Sequence, residues 1–202
     1  IRHSLSLSIF SPVNSQSIAI LSLNFISPGK SCLCNLISIF IIRYIYMKNQ
    51  DSILIFGSSG QIGKSLIRKF TKNNYRVIAV TRSIHQKGYQ IKTQSNYGYL
   101  ELEEIKTFNE EEISNLMKKS SICINLIGIL YEKKQNQFNL IHSDLPSLLS
   151  KLALQNSLEQ FIHLSALGIE SAVDSNYAKS KLSGEEKVRK NFPNSTILKP
   201  SN

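Results

Sequence analysis

Cysteine, tryptophan and acidic residues are scarce in this chain of 202 residues. It has three cysteines, no tryptophan, and 14 acids against 24 lysines and arginines, which gives a net charge of +10. Cys32, Cys34 and Cys123 are too few and too unevenly spaced to form a disulfide framework or a paired zinc site. We therefore exclude a small disulfide-stapled domain, and we expect a protein that is not secreted.

The excess of positive charge is spread along the chain. There is no arginine-rich arm and no basic strand that carries paired aromatic residues, so the sequence does not indicate a nucleic-acid partner. His163 has no second metal ligand at a suitable spacing, and we expect no metal site; we interpret it as a hydrogen-bonded sheet histidine. Cys123 lies within an apolar run and is expected to pack as a small apolar group.

Residues 1–46 differ in composition from the rest of the chain. They contain ten serines, ten isoleucines and no acid. One interpretation is a stretch translated from a start placed too early, with Met47 as the true beginning. The alternatives are a targeting sequence or a membrane anchor at residues 33–46, although a spanning helix needs about 20 apolar residues. We expect the domain to comprise residues 47–202 and exclude residues 1–46 from it.

Apolar runs and helical patterns alternate from residue 52 onward. Strands are predicted at residues 52–56, 76–81, 97–102, 122–127, 161–164 and 196–198. Helices are predicted from residue 62, after an Asn109-x-x-Glu112 capping box, over 138–152 and over 176–190, whereas residues 82–94 are predicted to form a loop. Pro146 predicts a break or a restart of the third helix, with Asp144 near the cap and the proline in the first turn. The alternation predicts an α/β fold with a doubly wound parallel sheet of the Rossmann type.

Three glycines separate the first predicted strand from the first helix. Gly57, Gly60 and Gly63 would allow a tight turn, close approach of a pyrophosphate and close packing of the helix. A ligand bound to this turn would also contact the residues between and beside the glycines, so the predicted cofactor contacts include Ser59, Gln61 and Ile62. We expect the hydroxyls of Ser58 and Ser59 to act as further donors.

The end of the second strand indicates which dinucleotide is preferred. NAD-binding domains place an acid there for the ribose 2′-hydroxyl, but this chain has Arg82 and no acid until Glu101. An arginine attracts the 2′-phosphate of NADP, so we predict that NADP(H) is preferred over NAD(H). Lys87 and Lys92 are interpreted as solvated loop charges.

Tyr177 and Lys181 are four residues apart on one predicted helix and therefore share a face. A lysine in that position can favour the phenolate and lower the pKa of the tyrosine, which makes Tyr177 a candidate general acid or base. The spacing is also common by chance, and a surface pair is the alternative.

Four motifs of this chain resemble those of one enzyme family. They are NLIGIL at residues 125–130, FIHLSALG at 161–168, YAKSKLSGE at 177–185 and FPNSTILKPS at 192–201. With the glycine turn, they resemble the extended or atypical short-chain dehydrogenase/reductases, and most closely the branch that contains the NADPH-binding accessory subunit of respiratory complex I and its bacterial relatives. The resemblance implies a Rossmann domain with tightly held NADPH near Asn125 and Gly128. It also implies a smaller C-terminal substrate lobe beyond this sequence, so we expect a C-terminally truncated domain.

The resemblance leaves three functions open. In active extended members, the residues that match Tyr177, Lys181 and a serine such as Ser165 are catalytic. Those members commonly carry serine or threonine at the position where this chain has Leu167. The first hypothesis is therefore an accessory protein that holds NADPH structurally and has complex I subunits or another membrane-bound partner, in the mitochondrial matrix or at the membrane in the bacterial cytoplasm. The second is an active NADP-dependent oxidoreductase or a sugar-nucleotide epimerase or dehydratase. The third is a regulator that senses NADPH.

Overall fold

This computed structural model describes residues 52–172 and 174–200. The predictions for residues 1–46, for Cys32 and Cys34, and for a start at Met47 lie outside the described residues.

Within the described residues, six parallel strands form one sheet in the order β3-β2-β1-β4-β5-β6. The strands are β1 (Ile53–Phe56), β2 (Val77–Thr81), β3 (Leu100–Glu104), β4 (Ile122–Asn125), β5 (Gln160–Leu164) and β6 (Thr196–Leu198). The order reverses between β1 and β4, which pair from Ile53↔Ile122 to Phe56↔Asn125. In open parallel sheets, ligands bind beyond the carboxyl ends of the strands at such a switch point. The prediction of a doubly wound Rossmann sheet is therefore confirmed.

Helices cover both faces of the sheet. They are α1 (Gln61–Lys72), α2 (Ile84–Lys92), α3 (Glu110–Met117), the short α4 (Gln137–Asn139), a π-helical segment (Leu140–Asp144), α5 (Leu145–Gln155) and α6 (Asn176–Asn191). The strands β1, β2 and β4 are buried at every position, as continuous apolar runs covered on both sides require. Alternate residues of these strands enter two separate cores, one with Leu54 and Cys123 and the other with Ile55 and Ile124. Cys123 packs among apolar residues, as predicted.

The prediction of a loop over residues 82–94 was wrong, because α2 occupies most of it. The hydroxyl of Ser83 caps the helix by accepting from the Gln86 amide at 3.4 Å. Gly88 and Ile91 form its buried face, and Leu102 of β3 lies beside Gly88. The pattern was missed because the apolar stripe of this short helix consists partly of a glycine. Lys87 and Lys92 are exposed, although on a helix and not in a loop.

The restart predicted at Pro146 is confirmed, because α5 begins at Leu145 with Asp144 at its N-cap position and Pro146 in its first turn, but the chain does not break there. The chain continues from α4 to α5 through the π-helical segment, where the Leu145 amide donates to the Leu140 carbonyl, and Asp144 is helical and forms no side-chain cap. Proline has no N–H to bond to the carbonyl four residues earlier, that of His142. The wider π-helical turn accommodates the missing hydrogen bond, so the helical backbone continues through the proline.

Two predicted element starts differ in detail. Asn109 caps α3 by accepting from the Glu111 amide at 3.0 Å. Its own amide donates to the Thr107 carbonyl, so the reciprocal half of a capping box is not formed. The weak third strand lies at Leu100–Glu104, slightly beyond its predicted position at residues 97–102, because it pairs in register with β2.

Candidate functional site

The glycine turn after β1 is packed so tightly that two of its glycines have no room for a side chain. Gly57 has a φ of +80°, and a Cβ there would lie 3.0 Å from the backbone of Leu126. A Cβ at Gly63 would lie 2.5 Å from the Gly57 carbonyl oxygen. Gly60 is exposed, and its amide donates to the Gly57 carbonyl at 3.1 Å. The turn therefore presents bare backbone at the switch point of the sheet.

The first turn of α1 offers an anion site. Among the described residues no side chain caps this helix, whose N-cap is Gly60, and its first turn contains no acid. The first amides of a helix lack intrahelical partners and carry the positive end of the helix dipole. The residues present thus fit the pyrophosphate of a dinucleotide, with Ser59, Gln61 and Ile62 next to the open amides.

Ser58 does not contribute a free donor to this turn. Its side chain is buried, and its hydroxyl donates to the Val80 carbonyl at 2.6 Å. This bond joins the glycine turn to the end of β2, so the prediction that Ser58 donates to a ligand was wrong. Ser59 is half-buried and remains a candidate.

The end of β2 carries Arg82, as predicted, but an acid also lies there. Arg82 is exposed and forms no hydrogen bond or ion pair within the described part of the chain. Glu104 of β3 pairs with Thr81 in the sheet, and its carboxylate accepts from the Ile84 amide at 3.2 Å. Glu104 was not predicted at this position, because it comes from the neighbouring strand β3 and not from β2.

Asn125 anchors the segment after β4, residues 126–129, which we call the β4 loop. Its Oδ1 accepts from the Ile127 amide at 3.1 Å, and its Nδ2 donates to His163 Nδ1 at 3.2 Å. His163 therefore carries its proton on Nε2. Burial, with Lys181 nearby, lowers the pKa of His163 to about 3. Within the described residues this Nε2 has no partner, so the prediction of a hydrogen-bonded sheet histidine holds for only one of its two nitrogens.

Lys181 lies under the β4 loop and is buried. Its Nζ donates to the Leu164 carbonyl at 3.1 Å, and a Cβ at Gly128 would lie 3.6 Å from that Nζ. Burial lowers the pKa of Lys181 to about 8, against the opposing effect of Glu185. The fold thus brings Gly128 and Lys181 together.

Tyr177 faces aromatic residues. Its ring meets those of Phe138 and His142 edge to face, with centroids 5.7 and 5.2 Å away. Burial raises the pKa of Tyr177. No hydrogen bond joins it to Lys181 among the described residues, and the prediction that Lys181 lowers the phenol pKa was wrong. A lysine side chain can turn away from its neighbour on the same face, and this one turns towards β5.

Ser165 donates inward. Its buried hydroxyl donates to Glu185 at 2.5 Å, and Glu185 forms an ion pair with Lys199 at 2.8 Å. Leu167 is 41% exposed, and its amide donates to the Pro200 carbonyl at 3.0 Å. Glu185 and Lys199 were not predicted as site residues, although Glu185 follows Tyr177 and Lys181 at helical spacing on α6.

The described residues contain neither a cluster of metal ligands nor a helix that could span a membrane. They contain no group of three or more histidine, cysteine or acidic side chains that could hold a metal ion. None of the helices described is both long enough and apolar enough to cross a membrane.

Residues 49–144 match the NmrA-like family. The chain is 24% identical over 147 residues to the NADH-ubiquinone oxidoreductase 40 kDa subunit of Neurospora crassa. It is 26% identical over 147 residues to the NADH dehydrogenase (ubiquinone) 1 alpha subcomplex subunit 9 of Mus musculus. The resemblance predicted from the motifs is confirmed. Each alignment covers 73% of this chain and 39% of the relative, so the chain spans about two fifths of the length of these relatives.

A solved structure shares this fold. The UDP-glucuronic acid 4-epimerase from Bacillus cereus, in complex with NAD, is 22% identical with a TM-score of 0.60, over 73% of this chain and 55% of the epimerase. The fold of this chain is therefore one that holds a nicotinamide dinucleotide in another protein.

Proposed function

We propose that this chain binds NADP(H) at the carboxyl edge of β1, β2 and β4 and holds it without turnover. The observation that carries the proposal is the bare glycine turn at the uncapped start of α1, next to the β4 loop. When bound, the nicotinamide would supply hydride chemistry. The proposed contacts are Gly57, Ser59, Gly60, Gln61, Ile62 and Gly63 for the pyrophosphate, Arg82 for the 2′-phosphate, and Asn125, Gly128, Tyr177 and Lys181 on the nicotinamide side.

The proposed setting is a membrane-associated respiratory assembly. Relatives of this chain are named as mitochondrial subunits of NADH-ubiquinone oxidoreductase, which supports complex I subunits as partners. The compartment would then be the mitochondrial matrix, or the cytoplasmic side of a bacterial membrane.

Titration with both nucleotides tests the cofactor preference. We expect NADPH to bind about tenfold or more tightly than NADH, because a charge-assisted hydrogen bond contributes about 1.5–3 kcal/mol. Replacing Arg82 with alanine should remove that preference by weakening NADPH binding while leaving NADH binding unchanged. The measurement is the change in nucleotide fluorescence on binding to the full chain.

Lys87→Ala is the matched control, since Lys87 is another exposed cation nearby, on the helix α2 that follows Arg82. It should change neither affinity. A preference for NADH would contradict the proposal and would point to Glu104 as the residue that meets the ribose. Equal losses in the two variants would show that only general positive charge matters.

The alternative is an active NADP-dependent oxidoreductase or a sugar-nucleotide epimerase or dehydratase. Tyr177 and Lys181 on α6 beside the β4 loop support it, as does the fold shared with a UDP-glucuronic acid 4-epimerase. Ser165 supports it less, because its hydroxyl already donates to Glu185.

Replacing Tyr177 with phenylalanine separates the two functions. If the nucleotide is held structurally, the full chain should show no steady oxidation of NADPH, and Tyr177→Phe should keep its affinity within about twofold because the ring packing is retained. Under the oxidoreductase form of the alternative, the chain oxidises NADPH with a carbonyl substrate and the variant loses that activity; an epimerase or dehydratase returns the hydride to its product, so there the variant loses product formation without net oxidation. Absorbance of the reduced nicotinamide reports turnover.

A further inference from the structure

His142 in the π-helical segment is fully buried and forms hydrogen bonds with both ring nitrogens. The Ile129 amide donates to its Nε2 at 3.1 Å, and its Nδ1 lies 3.0 Å from the Ser180 hydroxyl. An amide can only donate, so Nε2 is unprotonated and the ring hydrogen is on Nδ1. Ser180 in turn donates to the Tyr177 carbonyl at 2.8 Å. The chain of bonds runs from the β4 loop through His142 to α6.

The β4 loop lies between the glycine turn and Lys181. A Cβ at Gly57 would touch the Leu126 and Ile127 backbone, and one at Gly128 would lie 3.6 Å from Lys181 Nζ and 3.8 Å from His142 Nε2. Asn125 holds the first part of this loop through the Ile127 amide. His142 holds its other end through the Ile129 amide, so the position of the loop depends on both side chains.

The ring of His142 also fixes aromatic neighbours. It stacks on Phe138 with centroids 5.4 Å apart, and it meets the Tyr177 ring edge to face. Burial, with Lys181 nearby, lowers the pKa of His142 to about 4, so the ring is neutral at pH 7 and keeps its acceptor towards Ile129.

We infer that His142 is a positioning residue of the nucleotide site, which holds the β4 loop through the Ile129 amide and holds Tyr177 through ring contact and Ser180. This inference rests on the proposed function for its effect on NADPH. Its structural part, the bond to Ile129, does not depend on any ligand.

Two amide variants separate the hydrogen bonds. The His142→Gln side chain can place an oxygen near the position of Nε2 and accept from Ile129, whereas His142→Asn places its amide nearer Nδ1 and loses that acceptor. Both lose the ring. We expect His142→Asn to weaken NADPH binding about tenfold or more, and His142→Gln to stay within about threefold of the original protein.

Hydrogen exchange in the full chain gives a readout without nucleotide. The Ile129 amide should exchange about tenfold or more faster in His142→Asn and remain close to the original rate in His142→Gln, with the buried Ile55 amide as internal control. In the unsubstituted protein, nitrogen-15 spectra should show His142 with Nδ1 protonated and Nε2 unprotonated, and a coupling across the bond from Ile129. This signature needs no variant to fold.

The outcomes separate the two proposals. If the original protein binds no NADPH, the proposed function fails, and the exchange rates and spectra still decide the role of His142. Equal behaviour of the two variants in both binding and exchange, or a proton on Nε2, overturns the inference.

Discussion

Gly184→Ala is expected to reduce the free energy of unfolding by about 3 kcal/mol or more. α6 packs so closely on the π-helical segment that a Cβ at Gly184 would lie 1.8 Å from the His142 carbonyl oxygen. That atom is backbone, so it cannot turn aside as a side chain would, and the two helices must separate. Overpacking of a core costs about 1–3 kcal/mol, and an overlap with rigid backbone belongs at the upper end or beyond. Urea unfolding of the full chain measures the loss.

Gly88→Ala in α2 is the matched control, because it adds the same methyl group to another buried helical glycine. The nearest atom to its Cβ would be Ile84 Cγ2 at 3.0 Å, on a side chain that can adjust. Alanine is favoured over glycine in a helix by about 1 kcal/mol, which offsets this contact. We expect a change within about 1 kcal/mol. If both variants lost equal stability, close contact with the His142 carbonyl would not be the cause.

Stability should also fall steeply in acid, by about 3 kcal/mol or more between pH 7 and about pH 4. The pKa values of the buried His142 and His163 are lowered to about 4 and about 3. An unfolded histidine has a pKa of about 6.5, so the unfolded chain binds more protons in this range. The stabilisation by neutral histidine is therefore complete above about pH 6.5. It is lost as the pH falls towards the folded-state values, at about 1.4 kcal/mol per pH unit for each residue.

Replacing His163 with glutamine tests this cause. The variant has no imidazole at position 163, so its free energy of unfolding should depend less on pH, by about 1.4 kcal/mol per unit below about pH 6. Carboxylates contribute to the acid sensitivity of both proteins and cancel in the difference. His85→Gln is the control, since His85 is exposed and the substitution should leave the slope unchanged. Parallel curves for all three proteins would show that His163 does not contribute to acid unfolding.

Local patterns in the sequence were sufficient for most of the sheet. The sequence segments of β1, β2 and β4 are apolar at nearly every position. This pattern is typical of a strand that is covered on both faces of the sheet. The three glycines marked the turn because a strand, a glycine turn and a helix follow one another within one short segment. In contrast, α2 was missed because Gly88 is part of its buried face, and the continuity through Pro146 depended on a π turn that periodicity does not indicate.

Side-chain direction could not be obtained in the same way. Tyr177 and Lys181 share a helix face as predicted, yet Lys181 reaches the Leu164 carbonyl and leaves the phenol among aromatic rings. The hydroxyls of Ser58 and Ser165 lie in the predicted places. Both donate hydrogen bonds to groups of the protein itself, the Val80 carbonyl and the Glu185 carboxylate. Each of these directions depends on partners that are distant in sequence.

The sequence by itself determined the Rossmann order of elements, the glycine turn and the face of α6 that carries Tyr177 and Lys181. Each of these follows from spacing within one segment. Only the tertiary structure decided that Glu104 reaches the end of β2, that Glu185 takes the Ser165 hydroxyl, and that His142 joins the β4 loop to α6. These contacts are made between separate segments, and their geometry is set by how strands pair and helices pack, which no single segment encodes.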